Sequence, residues 1–140
     1  MERRASAQWK GGLKDGNGNV STASGALKSV PYTFSMRFED EPGTNPEELV
    51  AAALGSCFSM ALSSELEKAG YRPENIETKA TLDFQKTDSG WTAKSIHLDV
   101  QAKVFGADST KFLAAANAAK KGCPVSRLLN TEITMNAKLV

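Results

Sequence analysis

The spacing of apolar and polar positions changes character several times along the chain, and each change marks an element. From Ala5 to Gly12 and from Asn19 to Gly25, two short segments flank KDGNGN, whose Gly and Asn residues tolerate positive φ, so the pair reads as a β-hairpin. In PYTFSMRFED, Tyr32, Phe34, Met36 and Phe38 alternate with Thr33, Ser35 and Arg37, the period of a half-buried strand. On that reading Arg37 faces away from the aromatic stripe. The segment 45–70 then has helix punctuation at both ends: Asn45 as cap, Pro46 at the first helical position, Glu47 and Glu48 in the first turn, and Gly70 as the stop. Its interior, LVAAALGSCFSMAL, is apolar or small all round, which predicts a central helix covered on most sides.

IETKATLDFQK and WTAKSIHLDVQAKVF alternate as two strands joined through TDSG, an antiparallel hairpin. A helix from about Ser109 to Lys121 follows, ending at Gly122 with two lysines suited to its C-terminus. A short helix starts at Pro124, and TEITMNAKLV closes as a strand. The order β-β-β-α-β-β-α-α-β with hairpin strands predicts an α+β fold rather than alternating βαβ units.

At 140 residues the chain fits a single domain, residues 1–140, without internal repeats or linkers. With 41% hydrophobic and 24% charged residues and a formal net charge of +1, the composition is that of a globular protein. It gives no electrostatic reason to expect nucleic acid or an anionic membrane as partner. No unbroken apolar run reaches the roughly 18–20 residues that cross a bilayer, and MERRASAQWKGG has no apolar stretch behind its basic residues, so a cytoplasmic protein is expected.

Two cysteines are too few for a disulfide framework, which leaves a redox pair, two packing thiols or half of a metal site. Cys57 sits within the long helix, where a thiol is commonly a small packing group and burial raises its pKa. It lies beyond the first turn, so the helix dipole cannot help a thiolate and a reactive Cys57 needs a cation from elsewhere. Cys123 stands between the stop Gly122 and Pro124, at a helix junction. A thiolate that meets peroxide gives a sulfenic acid, which a nearby thiol converts to a disulfide, and two cysteines in such unlike settings suit that division of labour.

Other candidates read as structural. Asp15, Asn17 and Asn19 have calcium-loop spacing, but Val20 stands where the loop's glycine belongs and Ala26 where its bidentate Glu belongs. His97, the single histidine, lies on the polar face of SIHLDVQ, which argues against a Cys-His hydrolase. Two cysteines and one histidine do not complete a typical zinc site, and Trp9 and Trp91 sit near strand ends as packing groups.

VSTASGALKSVPYTFSMRFED, GTNPEELVAAALGSCFSMALS, KKGCPVSRLL and the closing TEIT occur in an order that resembles the OsmC/Ohr family of thiol-dependent hydroperoxide reductases, most closely its OsmC branch. The resemblance implies an α+β OsmC-like fold, with antiparallel sheets around a central buried helix, in an intertwined homodimer. It implies that Cys57 is the peroxidatic cysteine, Cys123 the resolving cysteine, and Arg37 and Glu47 the pair that completes the site. Arg37 then supplies the missing cation, and Glu47 orients it through a bidentate pair. The implied substrate is an organic hydroperoxide, with hydrogen peroxide reduced more weakly. The implied reductant is an external dithiol, a lipoyl-bearing protein or a small molecule, and no metal, haem or flavin is implied. Two other readings stay open: a stress-related dimeric binding protein with inert cysteines, and a thiol enzyme of different chemistry such as acyl transfer. Ten helical residues separate Glu47 from Cys57 by about 15 Å of rise, which favours a site assembled from two subunits.

Overall fold

A computed structural model describes residues 1–140 and places them in two compact units, Met1–Leu49 and Val50–Val140. The first carries a sheet in the order β1–β2–β3, formed by Ala5–Lys10, Asn17–Thr22 and Val30–Tyr32, with antiparallel pairing throughout. The hairpin expected around KDGNGN joins β1 to β2. Gly18 on β2 pairs with Trp9 on one side and Tyr32 on the other, and the two rings lie 5.4 Å apart between centroids. A Cβ at Gly18 would come within 2.8 Å of both rings, so glycine is what lets them close over the strand.

The strand expected across PYTFSMRFED is corrected here. β3 stops at Tyr32, and Phe34–Phe38 form a helical turn, α1. Thr33 is its cap, the side-chain oxygen accepting from the Met36 N–H at 3.2 Å. The alternation misled because every second apolar residue over seven positions also yields an i, i+4 pair: Phe34 and Phe38 stack on one helical face with centroids 4.9 Å apart. Arg37 therefore projects from the last turn of a short helix rather than from the polar face of a strand.

Helix α2, Pro46–Lys68, begins in the first unit with Asn45 accepting the Glu48 N–H at 2.8 Å, as its sequence predicts. It stops at Gly70, whose φ of +89° turns the chain while the Tyr71 N–H bonds back to the Leu66 carbonyl at 2.9 Å. The second unit is built on a sheet in the order β4–β5–β6, formed by Pro73–Thr87, Gly90–Val104 and Glu132–Leu139. β4 and β5 form the expected long antiparallel hairpin. β5 and β6 pair in parallel, so the expectation of purely antiparallel sheets is refined. The reason is the connection: α3 (Ser109–Gly122) and α4 (Pro124–Leu128) carry the chain between the two strands, and only such a crossover returns it in the same direction.

The core lies between α2, α3 and the inner face of β5. Leu54, Phe58, Leu62 and Leu66 from α2 meet Ile96, Leu98, Val100, Ala102 and Val104 from β5, with Phe112, Ala115, Ala116 and Ala119 from α3. Ser59 ties α2 to β4, its Oγ 2.8 Å from Thr78 Oγ1. Although α2 reads as apolar all round, it buries one stripe, and Ala52, Ala53, Ser56 and Met60 remain exposed, Met60 at 78%. Averaged over a window rather than read as an unbroken run, α2 is long and apolar enough to cross a membrane, with mean hydropathy 1.5; the core helix of a globular unit meets the same criterion.

Leu62 is fully buried in that stripe. Leu62→Ala should lower unfolding stability by about 2–5 kcal/mol, from lost transfer energy and the cavity left behind. Urea unfolding followed by circular dichroism measures this, and a loss below about 1 kcal/mol would show that the stripe is not packed as described.

Candidate thiol site and an arginine–glutamate pair

Cys57 stands on the fourth turn of α2, half-buried, one residue before the fully buried Phe58. The core stripe fixes its direction, because the helix cannot rotate without withdrawing Leu54, Phe58 and Leu62 from β5. Cys123 occupies the junction expected from its sequence. It ends α3, its N–H donating to the Ala119 carbonyl at 2.9 Å, and it caps α4, its carbonyl accepting the Arg127 N–H at 3.1 Å. Its side chain is fully buried. The two sulfurs, 66 residues apart in sequence, lie 2.6 Å from each other, both as free thiols.

The thiols are not equivalent. Burial raises the pKa of Cys57, and the hydrogen bond to Cys123 with that neighbour's charge raises it further against a smaller opposing effect of the Val125 N–H. Burial also acts upward on Cys123, but there it is outweighed. The Cys57 thiol, the Ser126 N–H and hydroxyl, and the Val125 N–H all favour its thiolate, so its pKa falls below the ordinary thiol value. The sequence gives no sign of this difference, which depends in part on the backbone N–H groups of α4.

In the first unit, Arg37 meets Glu47 as the resemblance implies. Arg37 Nη2 lies 2.7 Å from Glu47 Oε1, and Nε lies 3.1 and 3.2 Å from the two carboxylate oxygens. The guanidinium also sits 5.0 Å from the Phe38 ring centre. Glu47 is the more buried partner, at 15% side-chain exposure against 37% for Arg37, so the carboxylate anchors the guanidinium. Arg37 also lines a cavity of about 340 Å³ with Ala7, Val20, Tyr32, Pro46 and Leu49, a mostly apolar wall beside one cation. The sequence reading did not anticipate this cavity, whose lining comes from three strands, α1 and the start of α2.

His97 lies on the outward face of β5, its Nδ1 2.7 Å from Thr134 Oγ1 and its Nε2 3.4 Å from Asp99. The core and Cys123 are on the other face, so His97 is not a partner for either thiol.

Comparison with known proteins places this geometry in context. The sequence model of one family, described as OsmC-like protein, matches residues 38–138, a stretch that includes Glu47, Cys57 and Cys123 and begins one residue after Arg37. The chain is 45% identical to Peroxiredoxin OsmC of Escherichia coli over 139 residues, covering 99% of this chain and 97% of that one. It is 30% identical to Organic hydroperoxide resistance protein-like 1 of Staphylococcus saprophyticus over 129 residues, covering 89% of each. Among solved structures, an OsmC-like protein of unknown function from Vibrio cholerae superposes with a TM-score of 0.78 at 18% identity, covering 99% of both chains. An OsmC-like protein from Mycoplasma pneumoniae gives 0.77 at 14% identity, covering 100% of this chain and 98% of that one. At those identities the structures speak for the α+β fold.

The unequal thiols give a prediction. Cys57→Ala removes a hydrogen-bond donor from Cys123, so the Cys123 titration should move to higher pH. Cys123→Ala removes both the acceptor and the charge that hold the proton on Cys57, so the Cys57 titration should move to lower pH while burial still keeps it from falling far. Ultraviolet thiolate absorbance against pH reads both, and two variants that each titrate as an isolated, unperturbed thiol would rule out the coupling.

Proposed function

Because the chain belongs to the OsmC-like protein family, we propose that it is a thiol peroxidase that reduces organic hydroperoxides through Cys57 and Cys123. The observation that carries this reading is the 2.6 Å approach of two free sulfurs on separate helices. The Cys57 thiolate attacks the outer oxygen of ROOH, the O–O bond breaks, ROH leaves with a proton, and Cys57 becomes a sulfenic acid. Cys123 then attacks the sulfenic sulfur, the S–O bond breaks, and water leaves as the Cys57–Cys123 disulfide forms. An external dithiol, a lipoyl-bearing protein or a small molecule, returns both thiols. Cys57 is the half-buried sulfur and the one a substrate can approach, while Cys123 is fully buried, which supports this order of events.

Arg37 is the proposed cation for the Cys57 thiolate. The surroundings of Cys57 within its own unit raise its pKa, so attack at neutral pH depends on a positive charge that favours its ionised form. Glu47 holds the guanidinium by a bidentate grip, which fixes its orientation. The working unit in this reading is a homodimer, with Arg37 and Glu47 from one subunit serving the thiols of the other. The exposed face of α2, small at Ala52, Ala53 and Ser56 and apolar at Met60, suits the approach of a second copy.

The apolar cavity beside Arg37 favours a carbon-bearing peroxide over hydrogen peroxide. An organic group that buries roughly 80 Å² there gains about 2 kcal/mol, on the order of 30-fold in kcat/KM if the contact persists in the transition state. The test measures turnover with one saturating dithiol. Cumene hydroperoxide should be consumed about 30-fold more efficiently than hydrogen peroxide. Cys57→Ser should abolish consumption of both, and Cys123→Ser should permit one oxidation and then stall or over-oxidise. Retained activity in Cys57→Ser overturns the mechanism, normal turnover in Cys123→Ser removes the resolving role, and equal efficiencies remove the apolar-cavity argument.

A mixing experiment addresses the shared site. Arg37→Ala and Cys57→Ser chains, each inactive alone, should recover activity on subunit exchange, because one of the two sites in a mixed dimer then carries an intact Arg37 and an intact Cys57. No recovery after exchange has been verified by mass spectrometry would reject a site shared between subunits.

A further inference from the structure

Ser126 is the third residue of α4, three positions after Cys123, which caps that helix. Its Oγ is shielded from solvent and makes no hydrogen bond of normal geometry. A buried hydroxyl left in that state destabilises the fold, and natural interiors rarely keep one without a use for it. The cap-to-third-residue spacing, that of a capping box, brings the Ser126 side chain and N–H towards the side chain of Cys123, which makes no side-chain cap hydrogen bond in the reduced protein. In the reduced protein Cys123 Sγ is directed at Cys57 Sγ, 2.6 Å away, which leaves the hydroxyl without a committed acceptor.

We propose that Ser126 is a positioning residue for the resolving step: its hydroxyl donates to Cys123 Sγ when that sulfur becomes the attacking thiolate, holding the charge there until the S–S bond forms. This rests on the Cys57–Cys123 chemistry above and adds to it a residue that touches neither peroxide nor the sulfenic sulfur. In the step concerned, the Cys123 thiolate supplies the electron pair of the new S–S bond, the S–O bond of the Cys57 sulfenic acid breaks, and the departing hydroxide takes up a proton as water. The Ser126 hydroxyl keeps its own proton throughout. Once the disulfide has formed, Cys123 no longer carries charge, and the hydroxyl again lacks a strong acceptor, so the interaction favours the thiolate over the bonded form. The lowered pKa of Cys123, to which both the N–H and the hydroxyl of Ser126 contribute, agrees with this direction. Cys57 from α2 is the titratable group that faces Cys123; on its own side the influences are the Val125 and Ser126 groups of α4.

The test separates formation of the sulfenic acid from its resolution. The reduced protein is mixed with one equivalent of cumene hydroperoxide at a series of pH values, quenched at short times, and weighed intact: a gain of about 16 Da marks the sulfenic acid and a loss of about 2 Da the disulfide. Ser126→Ala should form the sulfenic acid at the wild-type rate. It should close the disulfide about tenfold more slowly at neutral pH, the size expected for one hydrogen bond to a charged group, with the pH midpoint of closure moved upward. Ser126→Thr, which keeps a hydroxyl, should restore both rate and midpoint. Its thermal unfolding midpoint and that of Ser126→Ala, compared with wild type, tell a folding defect from a chemical one. Closure in a folded Ser126→Ala protein at the wild-type rate with an unmoved midpoint overturns the role of Ser126. A wild-type protein that never loses 2 Da on peroxide treatment overturns instead the thiol mechanism beneath it.

Discussion

The packing of one stripe of α2 against the inner face of β5 is the constraint on which the second unit depends. Leu54, Phe58, Leu62 and Leu66 recur at helical spacing and meet Ile96, Leu98, Val100 and Ala102, which recur at strand spacing, so two different periods are matched along one contact. Each fully buried side chain of this kind contributes about 1.5–3 kcal/mol relative to exposure. The stripe therefore fixes the rotation of α2 about its axis, and with it the direction of Cys57. Phe112, Ala115, Ala116 and Ala119 join the same buried cluster, where α3 runs against β6, which fixes α3 and hence the junction at its end. Cys57 and Cys123 meet because both are carried on helices docked to one sheet.

How a junction can deliver a thiol is visible in the backbone of Cys123. A residue inside a helix has its N–H and carbonyl committed to the helical ladder, and its side chain follows the helical direction. Cys123 instead closes α3 with its N–H and opens α4 with its carbonyl, at φ −55° and ψ +126°. Pro124 enforces the break, since it cannot donate to α3 and favours an extended residue before it. The sulfur thus points into the core from a position that belongs to neither helix, while the free N–H groups of α4 lie close by. Cys57, in mid-helix, receives the Val125 N–H alone from that helix, and burial with the hydrogen bond to Cys123 outweighs it. The opposite pKa shifts of the two thiols reflect burial, their mutual hydrogen bond and this uneven supply of α4 donors.

Much of the fold is legible where the signals are local. Asn45, Pro46, Glu47 and Gly70 mark the ends of α2 because caps and stops are decided by a residue and its next few neighbours, and the TDSG hairpin is of the same kind. The misreading at Tyr32–Phe38 arose because alternation over seven residues fits a strand and an i, i+4 pair alike, and the deciding feature was Thr33, a cap that a strand reading leaves unused. The parallel pairing of β6 was available in the length of the helical connection before it, but pairing direction is a tertiary choice that no residue of TEITMNAKLV encodes by itself. Arg37 and Glu47 were associated through family resemblance, since ten intervening residues carry no periodic hint that the two side chains meet. The opposite pKa shifts of the thiols and the apolar cavity beside Arg37 depend on groups gathered from several elements, and such properties are absent from any one stretch of sequence.

The uneven thiol pair also constrains how a two-cysteine mechanism can work. If both sulfurs had the same surroundings, the first proton would leave either one, and a peroxide would meet a buried thiolate as often as an accessible one. Here the surroundings push the two thiols in opposite directions, Cys57 up and Cys123 down, across a contact of 2.6 Å. A two-cysteine mechanism with Cys57 as nucleophile therefore needs a bias that favours the Cys57 thiolate. A cation acting on Cys57 in the reacting complex would supply that bias, and a guanidinium gripped by a carboxylate is suited to it because it stays charged at every working pH. In the proposed mechanism the thiol would then gain its reactivity only where the cation and the sulfur are brought together.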